Sequence, residues 1–332
     1  MAIPSVADVH VDAPLSNISM EFKPSEGSYI ADQIFPLVPV QKQSDKYFVW
    51  DRSGNFKNQV ELRAPGTEYP EIRRSVSTQS YFCDIYHLAG AVEDEVRANS
   101  DPGIDLDRRV AETIAGQFHL NRELKLQSEI FTTGVWKTDV DLATGTDVQW
   151  SDFGASNPIT DIRTAKQTIQ KESGMVPNVL LIGQEVADIL VEHPLFLEKS
   201  KYTSEGILEV DDVRRMLKVP KVVVGGAIQN TASDDGTFAF TGHDGTDWWT
   251  GAYIWGKKAL LMYVPPTPSL NSMTAGYTFV WNNIEGTGDG LTTSIRRRRD
   301  GARDRDVQQA KHAFDNKKTS DLLGYFINNC IA

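Results

Sequence analysis

Cysteine is nearly missing from this chain of 332 residues; Cys83 and Cys330 are the only two. That excludes a disulfide framework or a structural zinc centre and fits a reducing compartment. Long apolar runs are missing as well. The stretch from Ala259 to Val264 is strand-sized, far short of the roughly 20 residues that cross a bilayer, so no membrane is expected among the partners. Met1-Ala2-Ile3-Pro4 has neither the basic nor the apolar region of a secretory leader. There is no internal repeat. Positive charge is in deficit, with 34 lysines and arginines against 45 acids and a net charge of −11. Tight nucleic-acid binding rests on neutralising phosphates, so an acidic chain is a poor candidate for it.

Catalytic chemistry is equally sparse. Gly251-Ala252-Tyr253-Ile254-Trp255-Gly256-Lys257-Lys258 approaches a phosphate-binding loop, but Lys258 stands where a magnesium-binding hydroxyl is needed and the interior reads as a strand. Gly225-Gly226-Ala227 lacks dinucleotide-turn spacing. His10, His87, His119, His193, His243 and His312 are scattered with no i, i+4 pair for zinc. His243-Asp244-Gly245-Thr246-Asp247 lacks a full calcium ligand series and reads as a polar turn. Asp211-Asp212 and Asp234-Asp235 read as a helix start and a hairpin turn. The expectation is therefore no catalytic residue, no cofactor and no metal, with an oligomeric cytoplasmic α/β enzyme kept as a rival because residues distant in sequence can meet in space.

What is present lies first in the N-terminal third. Pro4, Pro14, Pro24, Pro36 and Pro39 punctuate residues 1–44, yet Tyr29, Ile30, Ile34, Phe35, Leu37, Val38 and Val40 are too apolar for a solvated tail. Extended, such an arm reaches about 140 Å at about 3.3 Å per residue, whereas a compact chain of this size has a gyration radius near 20 Å. Burial against a second subunit is the natural expectation. Lys46-Tyr47-Phe48-Val49-Trp50-Asp51 then reads as a strand and, after a turn-rich stretch, pairs with a second strand from about Arg73 to Leu88. The connection is far longer than a usual hairpin loop. Phe48 and Trp50 on such a ribbon need a neighbour to cover them; the alternative is an edge hairpin of the chain's own core.

Leu106, Val110, Ile114, Phe118 and Leu124 recur at helical spacing and predict a helix of about 26 residues, capped at Ser100-Asp101-Pro102 and running to Phe131. Beyond a turn-rich crossing, the spacing predicts a helix from Pro158 ended by Gly174, a buried strand at 179–182, helices at 184–192 and 210–217, and strands near 219–224, 237–241, 252–255 and 259–264. Strands follow at 276–281 and 292–299; 303–314 reads as a short helix or a turn region, and 322–331 as a closing strand tied into a sheet. The one basic run, Arg296-Arg297-Arg298-Arg299, is followed by Asp300, Arg303, Asp304, Arg305 and Asp306. It suits ion pairs across a subunit contact, or a solvated, self-neutralising strip.

This succession resembles the major capsid proteins of tailed bacteriophages with the Hong Kong 97-like fold, over essentially the whole chain. Ala31 to Val40 with Lys46 to Asp51 resembles the junction of arm and hairpin, 104–131 the spine helix, 155–270 the axial domain, and the arginine run with Asp321 to Ile327 the return through the peripheral-domain sheet. The resemblance implies an α+β subunit divided into an N-terminal arm (1–44), an extended hairpin or E-loop (45–88), a peripheral (P) domain (89–140 and 271–332) with a spine helix at about 102–131, and an inserted α/β axial (A) domain (141–270). It implies self-assembly into pentamers and hexamers of an icosahedral shell around packaged double-stranded DNA, held without sequence-specific contacts. The virion capsid is then its location, assembled in the host bacterial cytoplasm. Because Met1 opens almost directly onto the arm, a separate scaffolding protein is expected, with a portal and a possible decoration protein as further partners. The subunit interface is expected at Phe35, Leu37, Phe48, Trp50, Lys57, Arg296, Arg297, Arg298 and Arg299. Lys57 lies near the hairpin tip, where some members cross-link, but no matching asparagine or glutamate context accompanies it. An encapsulin-like compartment, which shares the fold, is the nearest alternative.

Overall fold

A computed structural model describes residues 27–50, 76–100, 105–144, 148–201, 208–232, 250–267, 272–283 and 295–332, with isolated positions between 52 and 71. Residues 1–26, the expected cap at Asp101-Pro102, the strand at 237–241, the turns at Asp234-Asp235 and 243–247 and the side chain of Trp50 lie outside the described residues.

One helical turn, α1 (Ala31–Ile34), leads into β1 (Leu37–Val40). Strands β2 (Ser44–Trp50) and β3 (Val76–Phe82) form the long hairpin, with Ser44 opposite Phe82 and Trp50 opposite Val76. Strand β4 (Asp84–Glu93) runs into a short helix, α2 (Asp94–Ala98). The spine, α3 (Leu106–Ile130), starts where the Asp105 carboxylate accepts the Arg108 N–H at 3.0 Å, and its 25 residues span about 37 Å. Next come β5 (Thr138–Asp141) and α4 (Pro158–Ser173); Asn157 caps α4 and Gly174 ends it with a left-handed φ of 77°. The chain continues through β6 (Val179–Gly183), α5 (Gln184–Glu192), α6 (Pro194–Ser200), α7 (Val210–Leu217) and β7 (Lys221–Gly225). A small ribbon, β8 (Ile228–Asn230) with β9 (Gly251–Tyr253), precedes β10 (Ala259–Met262) and β11 (Gly276–Trp281). Last come β12 (Ile295–Asp300), β13 (Arg305–Lys318) and β14 (Gly324–Asn328).

Two five-stranded sheets organise these elements. In the first, β13 is flanked by β4 on one edge and by β12 and then β11 on the other, and β1 runs parallel to β11 outside it. The spine lies across β4 and β13, burying Ile114 and Phe118 against Ala310. Gly90 permits this approach, because a Cβ there would sit 2.4 Å from Val110 Cγ1. The second sheet has the order β5-β14-β10-β6-β7. Every residue of β6 and β10 is buried, which explains their unbroken apolar runs.

Three expectations are corrected. Residues 303–314 are not a helix: 303 and 304 close a turn, and 305–314 are most of β13, the longest described strand. Its inward positions include Gln308, which donates to the Asp107 carbonyl at 2.9 Å, and His312, whose ring is tilted against Phe118 with centroids 4.4 Å apart; with polar residues facing the core, the period-2 signal fades. The closing strand belongs to the second sheet, between β10 and β5, not to the sheet under the spine. The apolar residues from Ile30 to Val40 have partners within the subunit: Ile30, Ile34 and Phe35 are buried in its own core and β1 is paired with β11.

Candidate assembly surfaces

The hairpin sorts its side chains by parity. Tyr47 and Tyr81 turn inward onto Phe279, with ring centroids 5.7 and 4.5 Å away, and Cys83 completes that cluster. The opposite face carries Phe48, Val76 and Phe82, exposed to 68%, 44% and 56%. The ribbon is rooted at both ends. The Phe82 N–H donates to Asp315 at 2.9 Å, and past β2 the Arg52 guanidinium pairs with Glu172 at 3.0 Å. Lys137 meets the same carboxylate at 2.6 Å, and the two cations hold it below the usual carboxylate range, Lys137 most strongly. The Phe56 ring lies against Gly174, where a Cβ would come within 2.7 Å of it. Lys57 is exposed.

The arginine run divides in the same way. Arg297 reaches Asp306 and, at 3.5 Å, Asp107. Arg299 reaches Asp94 at 2.6 Å, Asp304 at 3.5 Å and Asp306 at 3.6 Å. Arg97 joins Asp94, Asp107 and Asp306 at 3.0–3.2 Å. Arg297 is the main cause holding Asp306 below the usual carboxylate range, and Arg299 does the same for Asp94. Arg297 and Arg299 therefore pair inside the subunit, tying β12 to β13, α2 and the start of the spine. Arg296 and Arg298 lie on the other face of β12 and are exposed. Phe35 is withdrawn from the expected interface: it is 1% exposed, against Gly276. Leu37 is half-buried in β1.

Glu123, a charged residue outside the apolar stripe of the spine, is fully buried. Its carboxylate accepts the N–H groups of Ile30 and of Ala31 (2.6 Å) and the Trp255 indole N–H at 2.8 Å. Burial is the dominant cause that pushes it up to about 7. Nothing in the one-dimensional pattern marks it, because the partners are 93 and 132 positions away in sequence.

Ser156 and His193 form a buried contact at 3.1 Å. His193 Nδ1 accepts the Leu195 N–H at the start of α6, so Nε2 carries the proton and donates it to Ser156. A serine that receives a hydrogen bond from the imidazole is not activated by it; the pair closes a turn. Among the described residues no group of three or more His, Cys, Asp or Glu side chains could hold a metal ion, and no helix is long and apolar enough to cross a membrane. Both thiols are buried, and burial pushes each of them up.

A family model described as phage major capsid protein E matches residues 135–246. The chain is 24% identical over 332 residues to the major capsid protein of Pseudomonas phage JBD67, covering 99% of each. A phage-related protein from Bordetella bronchiseptica RB50 has a similar structure, with a TM-score of 0.68 at 21% identity over 92% of this chain and 94% of that one. The capsid of Cyanophage P-SCSP1u follows with a TM-score of 0.59 at 12% identity, over 93% and 90%. Along its whole length the chain is similar in sequence to a phage major capsid protein, and its fold is the Hong Kong 97-like fold of phage capsids.

Proposed function

We propose that copies of this chain close into pentamers and hexamers around packaged double-stranded DNA, and that the outward face of the hairpin is the principal contact between them. One observation carries this: among the described residues Phe48, Val76 and Phe82 form an exposed apolar face, on a ribbon rooted through its other face. Trp50, opposite Val76 in the ladder, and Lys57 extend the contact. Arg296 and Arg298, exposed on the face of β12 opposite Arg297 and Arg299, supply charge to a second contact. We assign the sheet under the spine to the peripheral domain and the second sheet to the axial domain, with the closing strand returning through the latter. A separate scaffolding protein, a portal and a possible decoration protein complete the assembly, in the host bacterial cytoplasm.

Electron microscopy of the expressed chain, alone and with the products of neighbouring genes, tests the reading. Closed shells of uniform size that take up DNA are the expected result. Shells filled with a cargo protein would make it a compartment of the encapsulin kind, and small discrete oligomers would overturn the shell reading altogether.

A further inference from the structure

Glu123 sits where three parts of the subunit meet. It projects from the middle of the spine, the two N–H groups at the start of α1 converge on one of its oxygens, and the Trp255 indole reaches the other. Trp255 is itself immobilised: fully buried, edge-on to Phe131 at 5.2 Å, and against Gly225, where a Cβ would lie 2.2 Å from its ring. The spine and the indole are thus fixed partners, and the third partner is the root of the arm, joined to them across the chain. Among the described residues no lysine or arginine forms an ion pair with Glu123; its neighbour Arg122 pairs with Asp32 instead. A fully buried carboxylate with three neutral donors and no cation is poised between two demands. Donors favour the ionised form and desolvation favours the neutral one.

We propose that Glu123 is a proton-dependent clasp for the root of the arm: neutral and buried, it keeps residues 29–34 docked on the spine, and its ionisation as pH rises loosens them. The sign follows from linkage. A docked root keeps the carboxyl in its buried environment, where it titrates at about 7, while undocking opens it towards water and the ordinary value of 4.5. The state with the higher value binds the proton more tightly, so acid favours docking and ionisation opposes it. Between pH 5.5 and 8.5 those two values weaken docking by roughly 30-fold, most of it below pH 7, with little further change above pH 7.5.

Other ionisable groups around the clasp stay fixed over that range or can be controlled. On the arm, Tyr29 is pushed above its usual value by burial, and Asp32 is engaged by Arg122. On β13, His312 is held down at about 4 by burial, so it stays neutral. Beyond Trp255, Lys258 turns away to the Phe131 carbonyl at 3.3 Å. On the spine, His119 stacks on Tyr29 at 5.7 Å, and Glu129, which burial pushes up to about 7, is a second carboxyl that changes charge in this range.

Amide hydrogen exchange of the full-length chain, read on peptides covering residues 28–35 and corrected for the chemical exchange rate at each pH, tests the clasp. Wild type is expected to lose roughly 30-fold in protection from pH 5.5 to 8.5, levelling off above pH 7.5. Glu123→Gln should flatten the profile, and His119→Gln should keep it. A flat wild-type profile overturns the proposal, and so does a slope that survives in Glu123→Gln or vanishes in His119→Gln. If Glu123→Gln does not fold, the wild-type and His119→Gln profiles decide alone. None of these outcomes depends on whether the chain forms shells.

Discussion

Replacing Phe35 by alanine separates two roles for the root of the arm. If the arm is purely a contact for neighbours, this change weakens assembly and leaves the free subunit intact. The structure demands the reverse. Phe35 is 1% exposed and belongs to the core cluster that includes Ile34, Phe131, Trp136 and Phe326. Its ring fills the space where a side chain on Gly276 would stand, 2.4–2.5 Å from the position a Cβ would take. Truncation removes a full aromatic ring from a site walled by two sheets, so the cavity can collapse only in part and the cost is about 3–5 kcal/mol. Urea unfolding of the unassembled subunit, followed by tryptophan fluorescence, reads this as a lower midpoint at unchanged slope. A partner variant sharpens it. Gly276→Ala crowds both the Phe35 ring and the Lys317 carbonyl, 2.8 Å from the new Cβ, so adding Phe35→Ala should relieve only the first clash. The double variant should then be less destabilised than the sum of the two singles, yet still below wild type. An unfolding midpoint for Phe35→Ala within error of wild type, with shell yield lost, would refute the core assignment and return Phe35 to the interface.

Other outcomes follow from the same contacts. Phe48→Ala should leave subunit stability within about 0.5 kcal/mol, as exposed positions do, while lowering shell yield; an equal loss of both would place Phe48 in the core. Arg297→Gln with Arg299→Gln should lower the subunit's own melting temperature, more at low salt than at high, because both side chains pair within the subunit. The same double variant should blunt acid sensitivity. Asp94 and Asp306 are held below their ordinary 3.8 by these arginines, so their contribution is whole above that value and disappears as pH falls through the lowered ones. An acid-unfolding curve that the double variant leaves unchanged would contradict the pairing. Gly225→Ala, with a Cβ 2.2 Å from the Trp255 ring, should cost about 1–3 kcal/mol by overpacking, measured as a shift in the urea midpoint.

The elements easiest to find in the sequence were those whose signals are local. Asn157-Pro158 with Gly174 bracketed α4, and Val210–Leu217 has the bounds its spacing implies. The spine was legible from Leu106 to Ile130 because its apolar stripe is long, though Asp105 caps it. Strand β13 was hidden because glutamine and histidine occupy inward positions that alternation reserves for aliphatics. Sheet membership was hidden more deeply. The apolar segment at 324–328 announces a buried strand, but only tertiary contact decides that it pairs with β10 and β5 and not beneath the spine. The pairing of the hairpin's two strands was legible, since aromatic and β-branched content is local, and so was the exposure of Phe48, but the expected second strand from Arg73 to Leu88 breaks at Cys83, and its continuation, β4, pairs with β13 in the first sheet. The internal pairing of the arginines was hidden because a strand's two faces have different surroundings: alternate residues meet an acid cluster assembled from α2, the spine and β13, which no spacing rule brings together.

The surfaces left over after the subunit has satisfied itself bear on how a shell can form. Phe48, Val76 and Phe82 are already partly covered, so burying what remains is worth about 1–2 kcal/mol for each, a few kcal/mol for one hairpin. Joining two subunits costs more than about 4 kcal/mol in lost translational and rotational freedom. A single hairpin contact therefore does not hold a pair together at low concentration. In a closed ring every subunit both offers a hairpin and receives one, and the last subunit to enter gains two contacts for one loss of freedom. Contacts this weak make open fragments unstable relative to both the free subunit and the closed ring, and they let a misplaced subunit leave before it is trapped. The subunit's internal ion pairs and its clasped arm root serve the same end. They keep groups that could make strong, indiscriminate contacts occupied at home, which, on the proposed reading, leaves the choice of partner to the exposed apolar residues of the hairpin.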